Sequence, residues 1–160
     1  MFVKFDQLPD NSRIWIYQAN RKFSPVEINE IEVLLSDFIQ QWTVHGSALR
    51  ASYTIKYDRF IIIAVDQQYA QVSGCSIDSS VRFIQMLEQK YNVDLLDKMN
   101  VTFRTGEFIA HKTLLEFKQM VKTKAVNAET IVFNNLVDTK ADLEGYWEVP
   151  AKESWHTRFF

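Results

Sequence analysis

The chain has few of the residues that cross-link or interrupt a polypeptide. Of its 160 residues one is cysteine, four are glycine and three are proline. The single cysteine, Cys75, excludes the intramolecular disulfide framework of small secreted domains. The scarcity of glycine and proline, together with 47% apolar residues, predicts a folded chain with a packed core.

Long apolar runs and an excess of one charge are also missing. The longest dense apolar run, Phe60 to Val65, is too short to cross a bilayer. Residues Met1 to Pro9 include Lys4 and Asp6 and lack the apolar core of a signal peptide. The formal net charge is −2, whereas nucleic-acid binders usually carry a basic excess. We therefore expect a cytoplasmic protein that binds neither membranes nor nucleic acid.

The phosphate-binding loop of ATPases is absent. That loop needs two glycines five residues apart, followed by lysine and then serine or threonine. Five residues after the four glycines stand Ala51, Ser79, His111 and Pro150. The dinucleotide fingerprint and the nucleophile elbow also need closely spaced glycines, which the chain lacks. We therefore expect neither ATP binding nor ATP hydrolysis.

The sequence also lacks the spacing of a metal site. The three histidines, His45, His111 and His156, are far apart, and one cysteine cannot form a cysteine-based zinc motif. We therefore expect no metal and no cofactor.

The clearest pattern present is an amphipathic helix that follows Ser24. Ser24 and Glu27 form the sequence of a capping box, and Pro25 suits the first helical position. Apolar residues then recur every three or four positions, at Ile28, Ile31, Leu35, Phe38 and Trp42. This spacing predicts a helix with one buried face.

Four segments have the composition of strands. Residues 13–17 and 60–65 are apolar on both alternations, as in strands buried on two faces. Residues 51–57 and 101–104 alternate apolar and polar, as in half-buried strands. A second helix is predicted from a further apolar stripe, formed by Ile77, Val81, Ile84, Leu87 and Tyr91.

The order of these elements predicts an α+β fold with a ferredoxin-like βαββαβ core. The doubly buried segments are the first and third strands, which are central in that fold. Three further elements are predicted after this core: an added β-hairpin strand at 107–110, a third helix at 113–124 and an aromatic C-terminal tail. Residues 130–137 fit a strand or a short helix, and the chain after them has no regular pattern. We expect a single domain over residues 1–160.

In that fold both helices cover one face of the sheet. The other face would expose parts of Trp15, Tyr17 and residues 61–63, and an apolar surface of that size needs a cover. The third helix and the tail are the favoured cover, and a homodimer or another protein partner is the alternative. The leading hypothesis is therefore a non-catalytic binding or protein-interaction module.

The segment from residue 74 to residue 80 carries the alternative hypothesis. A helix start presents unpaired N–H groups and a partial positive charge, which bind anions and activate thiols. This predicts a small thiol-dependent enzyme or an anion-binding protein centred on Cys75. The catalytic candidates are Cys75, His45 and Asp78, and the ligand-binding candidates are Gly74, Cys75, Ser76, Ser79 and His156. In the simpler interpretation, Ser76 or Asp78 caps the helix and Cys75 is a buried apolar residue.

The chain resembles a known family in four segments, residues 8–21, 74–82, 130–137 and 147–156. They are similar to segments of small bacterial cytoplasmic proteins of uncharacterised function, and the resemblance extends over nearly the whole chain. Members often carry the label "ABC transporter ATPase", which conflicts with the missing phosphate-binding loop. The resemblance implies a bacterial cytoplasmic protein and carries over no catalytic residue, cofactor or partner.

Overall fold

The computed structural model describes all residues, Met1–Phe160, as a mixed α+β protein. The helices are α1 (Pro25–Gln41), α2 (Gly74–Tyr91), α3 (Leu114–Lys122) and α4 (Lys140–Tyr146). The strands are β1 (Arg13–Gln18), β2 (Thr43–Val44), β3 (Ser47–Ala48), β4 (Ala51–Lys56), β5 (Phe60–Val65), β6 (Val101–Thr105), β7 (Phe108–Lys112), β8 (Ile131–Phe133) and β9 (Glu148–Pro150). No helix combines the length and the apolar character that crossing a bilayer requires.

The chain divides into two compact units. The first comprises Met1–Leu96 and Asp138–Ala141, and the second comprises Asp97–Val137 and Asp142–Phe160. The single domain expected over residues 1–160 stays a prediction.

The first unit is built on a three-stranded antiparallel sheet in the order β1-β5-β4. Because side chains alternate across a strand, Ile61, Ile63 and Val65 share one face. There they join the apolar core formed by residues of α1 and α2. All six residues of β5 are buried, so the predicted doubly buried strand is confirmed.

Helix α1 begins as its sequence predicts. The Ser24 hydroxyl accepts a hydrogen bond from the Glu27 N–H at 3.2 Å, and the Glu27 carboxylate accepts one from the Ser24 N–H at 2.8 Å. The Arg21 guanidinium donates to both Glu27 oxygens at 2.8 and 2.9 Å. The Arg21 guanidinium, followed by the Ser24 N–H, lowers the pKa of Glu27 to about 2.

The ferredoxin-like arrangement is not confirmed. Its first three strands have the expected order, but the expected fourth strand, β6, belongs to a different sheet. The free edge of β1 is instead met by residues 138–139: the Ile14 N–H donates to the Asp138 carbonyl at 2.9 Å, and Arg13 pairs with Thr139. The alternation of β6 predicts a strand with one polar face, but alternation alone does not select the partner strand.

The uncovered sheet face is not found either. Trp15, Tyr17, Ile61 and Ile63 pack in the core beside the two helices. On the opposite face, Phe60 and Ile62 of β5 are also fully buried. Both faces of this sheet are therefore covered, and the exposed face from which a docking function was predicted is absent.

The second unit contains a four-stranded antiparallel sheet in the order β7-β6-β8-β9. The predicted hairpin of β6 and β7 is confirmed, and it turns at Gly106, whose φ of +60° favours glycine. Residues 131–133 form a strand, which resolves the open choice between strand and helix. The core of this unit is formed by Val101, Phe103, Phe117, Val126, Val132 and Ala151.

The C-terminal region is more regular than the sequence predicts. It forms α4 and β9, and two 3-10 helices follow at Ala151–Glu153 and Trp155–Phe159. The rings of Phe159 and Phe160 lie 6.3 and 6.2 Å from that of Phe117 on α3. These elements span three to seven residues, which is too short for a periodic pattern to stand out in the sequence.

Candidate functional site

The start of α2 holds most of the residues that the sequence singled out. Ser73 caps this helix: its hydroxyl accepts a hydrogen bond from the Ser76 N–H at 3.1 Å. The prediction that Ser76 or Asp78 is the cap is therefore wrong. Gly74 is the first helical residue, which leaves Cys75, Ser76 and Ser79 within the first two turns.

The hydroxyls at this helix start serve the fold. Ser76 is buried, and its hydroxyl donates to the Thr43 carbonyl at 2.7 Å. The Ser76 carbonyl accepts from the Trp42 indole at 2.8 Å and from the Ser79 hydroxyl at 2.9 Å. The bonds of Ser76 to Thr43 and Trp42 therefore hold the start of α2 in place, whereas the Ser79 hydroxyl is occupied by a bond within the helix.

The three catalytic candidates do not form a catalytic group. Cys75 is exposed, which overturns the simpler expectation of a buried apolar residue. Asp78 is exposed on the first turns of α2, and His45 lies in the exposed turn between β2 and β3. No hydrogen bond or ion pair joins these three side chains among the described residues. The thiol therefore has access to solvent but no bound base.

His156, the remaining candidate, belongs to the second unit. It is 1% exposed, and its Nδ1 lies 2.6 Å from the hydroxyl of Ser154. Burial lowers the pKa of His156 to about 4. The imidazole ring lies 6.1 Å from that of Phe117 in the core of that unit. A buried histidine held in this way is neutral at neutral pH and acts as a packing residue.

A cleft that the sequence analysis did not identify lies between α1 and β4. It has a volume of about 500 Å³ and opens widely to solvent. Its lining is formed by Asn29, Glu32, Val33, Ser36, Asp37 and Tyr53. The hydroxyls of Ser36 and Tyr53, two of the lining residues, lie 3.3 Å apart, and the ring of Phe2 lies 5.8 Å from that of Tyr53.

The helix beside the cleft is acidic throughout. Helix α1 carries Glu27, Glu30, Glu32 and Asp37 and contains no lysine or arginine. Glu27 is paired with Arg21, and Glu30 accepts a hydrogen bond from the Tyr91 hydroxyl at 3.0 Å. Glu32 and Asp37 form no ion pair with any lysine, arginine or histidine among the described residues. The two carboxylates that line the cleft are therefore those without a partner.

Apolar surface accompanies these carboxylates. Val33 lines the cleft and is 61% exposed, and Val26 on the same helix is 67% exposed. A valine exposed to this degree gains little from the fold of its own chain. The cleft thus presents both negative charge and apolar contact area.

The other wall of the cleft is the free edge of the sheet. β4 is an edge strand, and only its first residue, Ala51, pairs outward, with the backbone of Met1 and Val3. Because backbone groups alternate along a strand, Tyr53 and Ile55 present their N–H and C=O groups to the same edge. Beyond Ala51 this edge has no strand partner, although the 3-10 helix at Phe5–Gln7 also contacts β4.

The sequence contained part of this signal. The absence of lysine and arginine from residues 25–41 is visible in the sequence and marks an acidic helix surface. The position of Tyr53 beside that surface depends on how α1 packs on the sheet, which no local pattern specifies.

Comparison of the chain with family models, with curated proteins and with solved structures finds no match.

Proposed function

We propose that this protein is a non-catalytic interaction module that binds a basic, partly apolar segment of another protein along the cleft between α1 and β4. The observation that carries the proposal is the pair of unpartnered carboxylates, Glu32 and Asp37, beside the exposed side chain of Val33. Lysine or arginine side chains complement such a surface, and charge complementarity favours both the rate and the specificity of association.

The edge of β4 suggests how the segment binds. An extended peptide adds to a free sheet edge through main-chain hydrogen bonds, and its alternate side chains enter neighbouring pockets. A segment paired with Tyr53 and Ile55 would place every second side chain over α1. Basic side chains at those positions reach the carboxylates of Glu32 and Asp37, and apolar ones contact Val33.

The alternative activities receive less support from the arrangement of residues. An exposed Cys75 has the access that a nucleophile needs, but it has no neighbouring base to activate it. The sequence lacks the phosphate-binding loop that P-loop ATPases use. We place the module in the bacterial cytoplasm, as the family resemblance implies.

The test is the binding of a fluorescent peptide that alternates arginine with valine. We expect Glu32→Gln/Asp37→Asn to weaken its binding about tenfold, because the double variant removes both unpaired charges from the cleft. The matched control is Asp10→Asn/Glu144→Gln, which makes the same charge change at two exposed acids outside the cleft. Binding is measured by fluorescence polarisation at low and at physiological salt.

The control separates a local site from general attraction to an acidic protein. Equal loss of affinity in the two double variants would contradict the proposal, as would wild-type binding that does not weaken at higher salt. If the cleft instead binds a second copy of the chain, light scattering will show a dimer that the cleft variant disrupts, and the peptide will not bind.

A further inference from the structure

A second binding site is indicated by Arg59, which stands immediately before β5. Its side chain is 7% exposed, and its Nε and Nη1 atoms are fully buried without a hydrogen-bond partner. No carboxylate and no aromatic ring pairs with this guanidinium among the described residues. Burial also lowers the pKa of Arg59.

Most other buried or half-buried cations of the chain have acceptors. The Nε atoms of Arg13 and Arg50 are also unpaired, but the Arg13 guanidinium lies 5.0 Å from the Trp15 ring and the Arg50 Nη1 lies 3.9 Å from Asp66. The Lys140 ammonium is buried and donates to the Leu8 carbonyl at 2.8 Å. Arg21 pairs with Glu27 at 2.8 Å, and Arg104 pairs with Glu148 at 2.6 Å. Since an unpaired buried charge is strongly destabilising, an arginine that lacks any acceptor indicates a missing anionic partner.

The turn that carries Arg59 packs against a loop that contains both basic residues and residues bonded to acids, namely Asn20 with Asp94 and Arg21 with Glu27. The loop at residues 19–23 is held against the hairpin by two backbone hydrogen bonds of 2.8 Å, from the Ala19 N–H to the Arg59 carbonyl and from the Phe23 N–H to the Asp58 carbonyl. The hairpin carries Lys56 and the loop carries Lys22, and both residues are exposed. Asp58 is the only acid of the turn, and it forms no ion pair with Arg59.

We infer that Arg59 is the primary contact of a small oxyanion, a phosphate group in particular, bound at the turn between β4 and β5. The guanidinium supplies up to five N–H donors, and charge-assisted bonds from arginine to phosphate are among the strongest in proteins. The exposed Lys22 and Lys56 attract the anion, whereas the buried Arg59 binds it. This site lies outside the α1–β4 cleft and does not depend on the proposed function.

The inference is tested by thermal unfolding in inorganic phosphate, with chloride at the same ionic strength as the reference. At a phosphate concentration about ten times Kd, we expect the unfolding midpoint to rise by about 3–6 °C. Arg59→Met should lose this rise, because the variant retains the bulk of the side chain but has no donors. Arg82→Met is the matched control on an exposed arginine of α2, and it should keep the rise.

The unfolding temperature of Arg59→Met in the absence of phosphate provides a second test. Arg59→Met removes an unpaired buried charge, so it should unfold at or above the wild-type temperature in chloride. A second arm replaces inorganic phosphate with glycerol phosphate: a larger rise with the ester indicates a phosphorylated metabolite as the ligand, and a larger rise with phosphate indicates the free anion. Absence of any rise in the wild-type protein overturns the inference, and so does an equal rise in Arg59→Met.

Discussion

Replacing Phe117 by alanine is expected to lower the free energy of unfolding by about 3–5 kcal/mol. Phe117 is fully buried on α3, and its ring lies 5.6 Å from that of Phe103 in the sheet of the second unit. It also contacts the rings of His156, Phe159 and Phe160. Truncation removes the side chain around which these four rings pack, and they cannot all move to fill the space.

The control for this prediction is on the same helix. Leu115 is 79% exposed, so Leu115→Ala should change the free energy of unfolding by no more than about 0.5 kcal/mol. Both variants are measured by urea unfolding, monitored by tryptophan fluorescence and circular dichroism. Similar costs for the two substitutions would show that Phe117 is not at the centre of this core.

The second large effect is a loss of stability as the pH falls from about 6.5 to about 4. His156 is buried, and desolvation lowers its pKa from 6.5 to about 4 in the folded protein. Between these pH values the unfolded chain binds a proton that the folded chain does not. The free energy of unfolding is therefore highest, as far as His156 is concerned, above pH 6.5. It falls by roughly 2–3 kcal/mol as the pH is lowered towards 4.

Carboxylates also titrate in part of this pH range. The contribution of His156 is therefore obtained by comparing the wild-type protein with a variant that lacks this histidine. The free energy of unfolding is measured from pH 7 to pH 4.5 for the wild-type protein and for His156→Asn. The wild-type protein should lose more stability over this interval than the variant. His45→Asn, in an exposed turn, should retain the wild-type pH dependence. An identical slope in the wild-type protein and in His156→Asn would contradict the assignment.

Features that depend on neighbouring residues were predictable from the sequence. The start of α1 follows from Ser24, Pro25 and Glu27, because a capping box involves residues three positions apart. The burial of β5 follows from its continuous apolar run, and the two strands of the β6–β7 hairpin are adjacent in sequence.

Features that depend on distant residues were not predictable. At the start of α2 the sequence favours Ser76 or Asp78 as the cap, but Ser73 caps the helix. Ser76 instead bonds to Trp42 and Thr43, which lie more than thirty residues before it in the sequence. The pairing of β6 with β8 instead of β1 is a choice of the same kind.

The two candidate binding sites illustrate the same limit. The acids of α1 and the edge residue Tyr53 form one cleft only because of how the helix packs on the sheet. In the sequence, Arg59 is an ordinary residue after a turn, and nothing local indicates that its side chain is buried without an acceptor. An unsatisfied polar group becomes visible only when burial and partners are known for each atom.

The central claim, that the α1–β4 cleft binds a basic segment, is tested most directly by amide hydrogen exchange with and without a saturating arginine–valine peptide. Strand addition at the free edge predicts slower exchange for Tyr53 and Ile55, with no change at the start of α2 around Cys75. Protection around Cys75 with unchanged exchange in β4 would contradict the claim and move the binding site to the start of α2.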